Sequence, residues 1–110
     1  MLAGRQGDSM GSYQRGTTVT IEIWFKNTRT GSFVDPDTGT KLLTIYKDGS
    51  AVKSVADASI LKLDTGKFYY DWETATDLEK GIYVYEWKAT IGGNDVTESA
   101  LLRIRERKVG

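Results

Sequence analysis

The chain has 110 residues, with 15 Lys plus Arg, 15 Asp plus Glu and a formal net charge of zero. It contains no histidine and no cysteine, which excludes the commonest general base, the commonest zinc ligand, thiolate metal sites and disulfides. The charge balance excludes a strong global field toward nucleic acid or an anionic membrane, and the length is that of one domain able to close a core unaided.

Met1–Ser12 is polar and glycine-rich and reads as a flexible arm, either free or ordered against a neighbouring subunit. It has no apolar stretch of signal-peptide length, and no membrane-spanning run follows, so cytoplasmic synthesis is expected. Thr17–Lys26 is the first clear strand. Val19, Ile21, Ile23 and Phe25 share one face, and Thr18, Thr20, Glu22 and Trp24 the other. Trp24 is then either packed under a loop or the arm, or an exposed contact residue.

Asn27–Thr40 has loop composition, with Phe33 and Val34 as its expected anchors. Its Asp35-Pro36-Asp37-Thr38-Gly39 run is a turn by residue type. A calcium loop would need an oxygen ligand where Gly39 stands and a later glutamate, so metal binding is not expected. Lys41–Lys47 and Ala51–Val55 read as strands joined by Lys47-Asp48-Gly49-Ser50, a hairpin signal because Asp-Gly tolerates positive φ. Asp57–Lys62 reads equally as a short strand or a helical turn. Lys67–Trp72 is a strand with Phe68, Tyr70 and Trp72 on one face and Tyr69 and Asp71 on the other. Asp77–Gly81 reads as a short connection around Leu78.

Gly81–Ala89 is the strongest strand signal: Tyr83, Tyr85, Trp87 and Ala89 point one way, and Ile82, Val84, Glu86 and Lys88 the other. Ile91-Gly92-Gly93-Asn94 is a turn, and Asp95–Arg105 the last strand, with Val96, Glu98, Ala100, Leu102 and Ile104 on one face. About seven short strands with regular turns predict an all-β antiparallel sandwich over 13–106, with a small closed barrel as the alternative and a short basic tail at 107–110. The expected core is Val19, Ile21, Ile23, Phe25, Leu43, Ile45, Val52, Phe68, Tyr70, Trp72, Tyr83, Tyr85, Trp87, Ala100, Leu102 and Ile104. Each large side chain in it is worth roughly 1.5–3 kcal/mol when buried.

Three stretches carry a resemblance. Tyr13-Gln14-Arg15-Gly16-Thr17-Thr18-Val19 resembles the opening of the first strand of macroglobulin-type and bacterial immunoglobulin-like domains. Ile45-Tyr46-Lys47-Asp48-Gly49 resembles their central hairpin. Gly66–Trp72 followed by Gly81–Trp87 resembles their glycine–aromatic strand, loop and Gly-x-Tyr strand. The resemblance runs from Tyr13 to Arg105 and implies an Ig-like sandwich without the cysteine pair of antibody domains. It also points toward small tailed-phage virion proteins, and it carries no site residue, because such families share a scaffold.

No residue cluster makes a chemical motif. Asp71 and Glu73 share a face in an extended segment, but as a solvated strand end rather than a catalytic pair. Arg103, Arg105, Arg107 and Lys108 make a basic finish, read as a charged edge that discourages strand pairing or as a contact to an acidic partner. No aromatics interleave with them, so a nucleic-acid module is not expected. The candidate partner-binding residues are therefore Trp24, Tyr46, Tyr69, Arg103 and Arg105, with no catalytic, cofactor or metal site. The expectation is a non-enzymatic structural or interaction domain of a virion or surface assembly, self-associating or bound to other proteins. The competing expectation is a carbohydrate-binding module, with Trp24 and Tyr69 exposed and coplanar.

Overall fold

A computed structural model describes the backbone of residues 2–5 and all of residues 11–106. Among the described residues nine strands lie in two sheets: β1 (Leu2–Arg5), β2 (Gly11–Gln14), β3 (Thr18–Asn27), β4 (Leu42–Lys47), β5 (Ser50–Ala56), β6 (Leu61–Asp64), β7 (Lys67–Glu73), β8 (Gly81–Ile91) and β9 (Asn94–Arg105). One sheet has the order β1-β3-β7-β6 and the other β2-β9-β8-β4-β5. They stack as a sandwich, each presenting one face to a shared core, as alternation along β3 and β8 requires.

The core is the one the alternation predicts, with specific departures. Val19, Ile23, Leu43, Ile45, Tyr83, Trp87, Leu102 and Ile104 are almost fully buried, and Tyr70 and Ala100 pack half-buried at its rim. Val55, Ile60, Ala89, Ile91 and Val96 also belong to it. Val52 does not: it is 47% exposed. Ile45 pairs with Lys53 and Tyr46 with Ala51, so Val52 is the extra residue of a bulge, and the period-two rule breaks there.

The two strands beyond the expected seven come from the N-terminus. Within the expected flexible arm, Leu2–Arg5 pairs with β3, and Gly11 and Ser12 open β2. The arm's other residues, and the tail at 107–110, lie outside the described residues. β2 runs parallel to β9, so the sandwich is not wholly antiparallel. β9 therefore has a neighbour on each side, which corrects the reading of Arg103 and Arg105 as a charged edge. Asp57–Lys62 resolves into a 3-10 turn at Asp57–Ser59 followed by β6.

Turn chemistry sets the registers. Asp48 and Gly49 both take positive φ, 53° and 81°, which suits a two-residue hairpin. The 28–41 crossover between the sheets is pinned by its two aspartates. Asp35 accepts the Gly66 N–H at 2.7 Å and the Lys62 ammonium at 2.8 Å. Asp37 accepts the N–H groups of Gly92 and Gly93, each at 3.2 Å. The two carboxylates of the Asp35–Gly39 turn thus each tie the crossover to a hairpin turn. Phe33 and Val34 do anchor the loop: Val34 packs against the core, and Phe33 meets Trp24 edge-on at 6.2 Å. Thr74, buried, ties the start of β3 to the end of β7. Its hydroxyl accepts from Gly16 and Thr17 N–H and donates to the Thr17 carbonyl at 2.6 Å.

Two buried ring systems end differently. The Tyr83 hydroxyl donates to the Glu79 carbonyl at 2.5 Å. The Trp87 indole N–H is the one buried side-chain polar atom without a partner among the described residues. Burial, with a lesser push from Tyr13, raises the Tyr85 phenol to about 12.

Candidate interaction surface

The two outer faces of the sandwich hold all five sequence-predicted contact residues, but not together. Tyr46, Arg103 and Arg105 lie on the five-stranded sheet, here termed the front. Trp24 and Tyr69 lie on the four-stranded sheet, the back. No common aromatic platform exists across the five.

The front face is built by strand register. Tyr46 on β4 is the Cα partner of Val84 on β8, and Val84 that of Leu101 on β9. In the next outward-facing row Ile82 pairs with Arg103. Ile82 is 38% exposed, Val84 37% and Leu101 47%, so an apolar patch spans β8 and β9 in water, with half-buried Tyr46 extending it onto β4. A side chain that alternation turns away from the core has no fold-level reason to be apolar, and a contiguous set of them marks a contact surface. The sequence carried that signal as Ile82 and Val84 opposite the aromatic face; only pairing with β4 and β9 shows that the positions join.

Charge on this face is uneven. Glu86 is neutralised by Lys88 at 3.5 Å. Arg103 has no ion-pair partner among the described residues, and Arg105 Nε donates to Ser12 Oγ at 3.2 Å. Both arginines are exposed, leaving net positive charge beside the apolar row.

On the back, Trp24 is 39% exposed but not free. Its ring abuts Phe33, and the Lys67 ammonium sits 5.0 Å from its centroid. It packs under the crossover loop, as one of the two sequence readings had it. Tyr69, half-buried, pairs with Glu22 and with Leu61, which is 48% exposed. Beyond Tyr69 on the same face come Asp71 and Glu73, both exposed. Asp71 accepts the Thr20 hydroxyl at 2.6 Å, and Glu73 stands opposite Thr18. Neither carboxylate has an ion-pair partner among the described residues. Among the described residues no group of three or more His, Cys, Asp or Glu is gathered to hold a metal ion, and no helix is long and apolar enough to cross a membrane.

Two sheets, their order and this core define an immunoglobulin-like β-sandwich. Among solved structures, the chain resembles part of the endo-β-1,4-mannanase of Thermotoga petrophila, with 12% identity and a TM-score of 0.63, over 96% of this chain and 20% of the mannanase. An engineered protein is covered to the same 20% extent, so the chain spans about one fifth of the length of both. Whole single domains match as well. The titin M3 domain has 19% identity and a TM-score of 0.55, covering 96% of this chain and 97% of M3. A chain of the complex of titin M10 with the obscurin-like 1 Ig domain has 12% identity and a TM-score of 0.54, covering 98% and 96%. No family model and no curated protein matches the sequence. Identities this low establish a shared fold and nothing about ligands.

Proposed function

We propose that this chain is a non-enzymatic interaction domain that docks on protein through the front face, as a component of a virion or cell-surface assembly. The observation that carries the reading is exposed Val84, Leu101 and Ile82, extended by half-buried Tyr46, across three strands that already have a core on their other side. The sequence resemblance over Tyr13–Arg105 supports the virion setting, and with it synthesis in the cytoplasm. The M10 structure named above is of a complex between titin M10 and obscurin-like 1 Ig, so protein binding is compatible with this fold. The carbohydrate reading has less support, because Lys67 covers one face of the Trp24 indole and Phe33 abuts its edge.

A photo-crosslinking amino acid placed at Tyr46 or Leu101, in the cell that makes the protein, tests the proposal. One discrete protein adduct is expected from these positions, none from Thr38 in the crossover loop, and loss of the adduct with Val84→Glu. Equal labelling from Thr38, or retention of Trp24-dependent binding on a polysaccharide with no protein adduct, overturns it.

A further inference from the structure

The front and back faces carry matched patterns. On β9 the outward residues run Leu101, Arg103, Arg105: apolar, positive, positive. On β7, beyond Lys67, which is held against the Trp24 ring, they run Tyr69, Asp71, Glu73: aromatic, negative, negative. Both series step by two residues along a strand, so both place charges about 7 and 13 Å from the apolar member. Leu101 is widened by Val84, and Tyr69 by Leu61, through direct cross-strand pairing. Arg103 and Glu73 have no ion-pair partner among the described residues, so charge on both faces is available.

We infer that a second copy of this chain is the partner of the front face, stacked front-to-back, with Leu101, Arg103 and Arg105 of one copy over Tyr69, Asp71 and Glu73 of the next. This deepens the docking reading above and rests on it. Charge complementarity selects the occupant: a front-to-front pair brings arginine-bearing surfaces together, whereas front on back sets Arg103 and Arg105 over Asp71 and Glu73. The contact uses two different patches, so it is heterologous, and it either closes into a ring or extends as a filament.

Sedimentation velocity of the full chain over a concentration series tests this. Wild type is expected to show mass rising with concentration and falling with added salt, since the charges are exposed. R103E/R105E and D71K/E73K are each expected to weaken association by roughly a hundredfold. The chain carrying all four substitutions is expected to recover it, because the signs match again. Circular dichroism confirms that each variant is folded. A monomer at all concentrations overturns the inference, as does association untouched by both double variants. Weakening by R103E/R105E but not by D71K/E73K also overturns it, while leaving the front face as the docking surface. A monomer that still gives the Val84-dependent adduct separates the two readings in the same way.

Discussion

Gly66 is the residue on which the two halves of the back sheet's loop system close, and replacing it with alanine is a measurable test of the fold. Its φ is +71°, and an added Cβ would lie 2.7 Å from the Phe25 carbonyl oxygen and 2.9 Å from both Phe33 Cβ and Val34 N. None of these is the far end of a flexible side chain. Holding a non-glycine residue at positive φ costs roughly 1–2 kcal/mol, and forcing an atom into packed surroundings adds about 1–3 kcal/mol. Gly66→Ala should therefore cost about 2–5 kcal/mol. Two hydrogen bonds are also at risk, from the Gly66 N–H to Asp35 and from the Phe25 N–H to the Gly66 carbonyl, each 2.7 Å. Gly49→Ala is the control: φ is +81° there, yet nothing lies within 4 Å of the added atom, so only the backbone cost of about 1–2 kcal/mol applies. Urea unfolding of both variants reads the difference, with an unchanged slope confirming that stability alone moved. If Gly66→Ala loses no more than Gly49→Ala, the close approach of loop and turn described here is wrong.

Trp87→Phe removes the unpartnered indole N–H, relieving about 1–3 kcal/mol, and loses ring area worth a similar amount. Its stability by urea unfolding should stay within about 1 kcal/mol of wild type, while Trp87→Ala loses about 3–5 kcal/mol; a loss above about 3 kcal/mol for the Phe variant would mean that the N–H has a partner. Tyr85, raised to about 12 from 10.0, favours the fold while neutral. Its contribution is complete below the unfolded value and lost as pH rises through the folded one, so Tyr85→Phe should flatten the fall in stability above pH 10. An alkaline absorbance titration in which every tyrosine ionises together near 10 refutes this. The Lys62 hydrogen bond, then the Gly66 N–H, holds the Asp35 carboxyl below its ordinary 3.8. Stability from Asp35 is therefore present above that pH and lost as pH falls through the lowered folded value, and Asp35→Asn should reduce the acid slope of the melting temperature below pH 4. An unchanged slope counts against Asp35 pinning the crossover through Lys62 and Gly66.

The strands were legible where alternation is strict. β3 and β8 bury one residue in two over their lengths, and their partners followed from turn residues such as Asp48-Gly49. Alternation failed at Val52, because a bulge inserts a residue that no one-dimensional period can register. The N-terminal strands were read as arm because short polar strands draw their pairing from β3 and β9 rather than from their own composition. The contact residues were legible singly and not as surfaces. Trp24 and Tyr46 occupy opposite faces of the molecule, and the residues that join Tyr46, namely Val84 and Leu101, come from strands fixed only by tertiary pairing.

The place of β9 has a consequence for how the protein is made. It follows the other described strands in the chain, yet it lies between β2 and β8, pairing Gly11 with Leu102 and Gly81 with Ile104. Until it emerges, the longest aromatic strand has a bare edge and β2 has nowhere to bind. The domain cannot close until β9 has been made, so the eight earlier described strands wait with unpaired backbone exposed, and that interval is where holdase chaperones act.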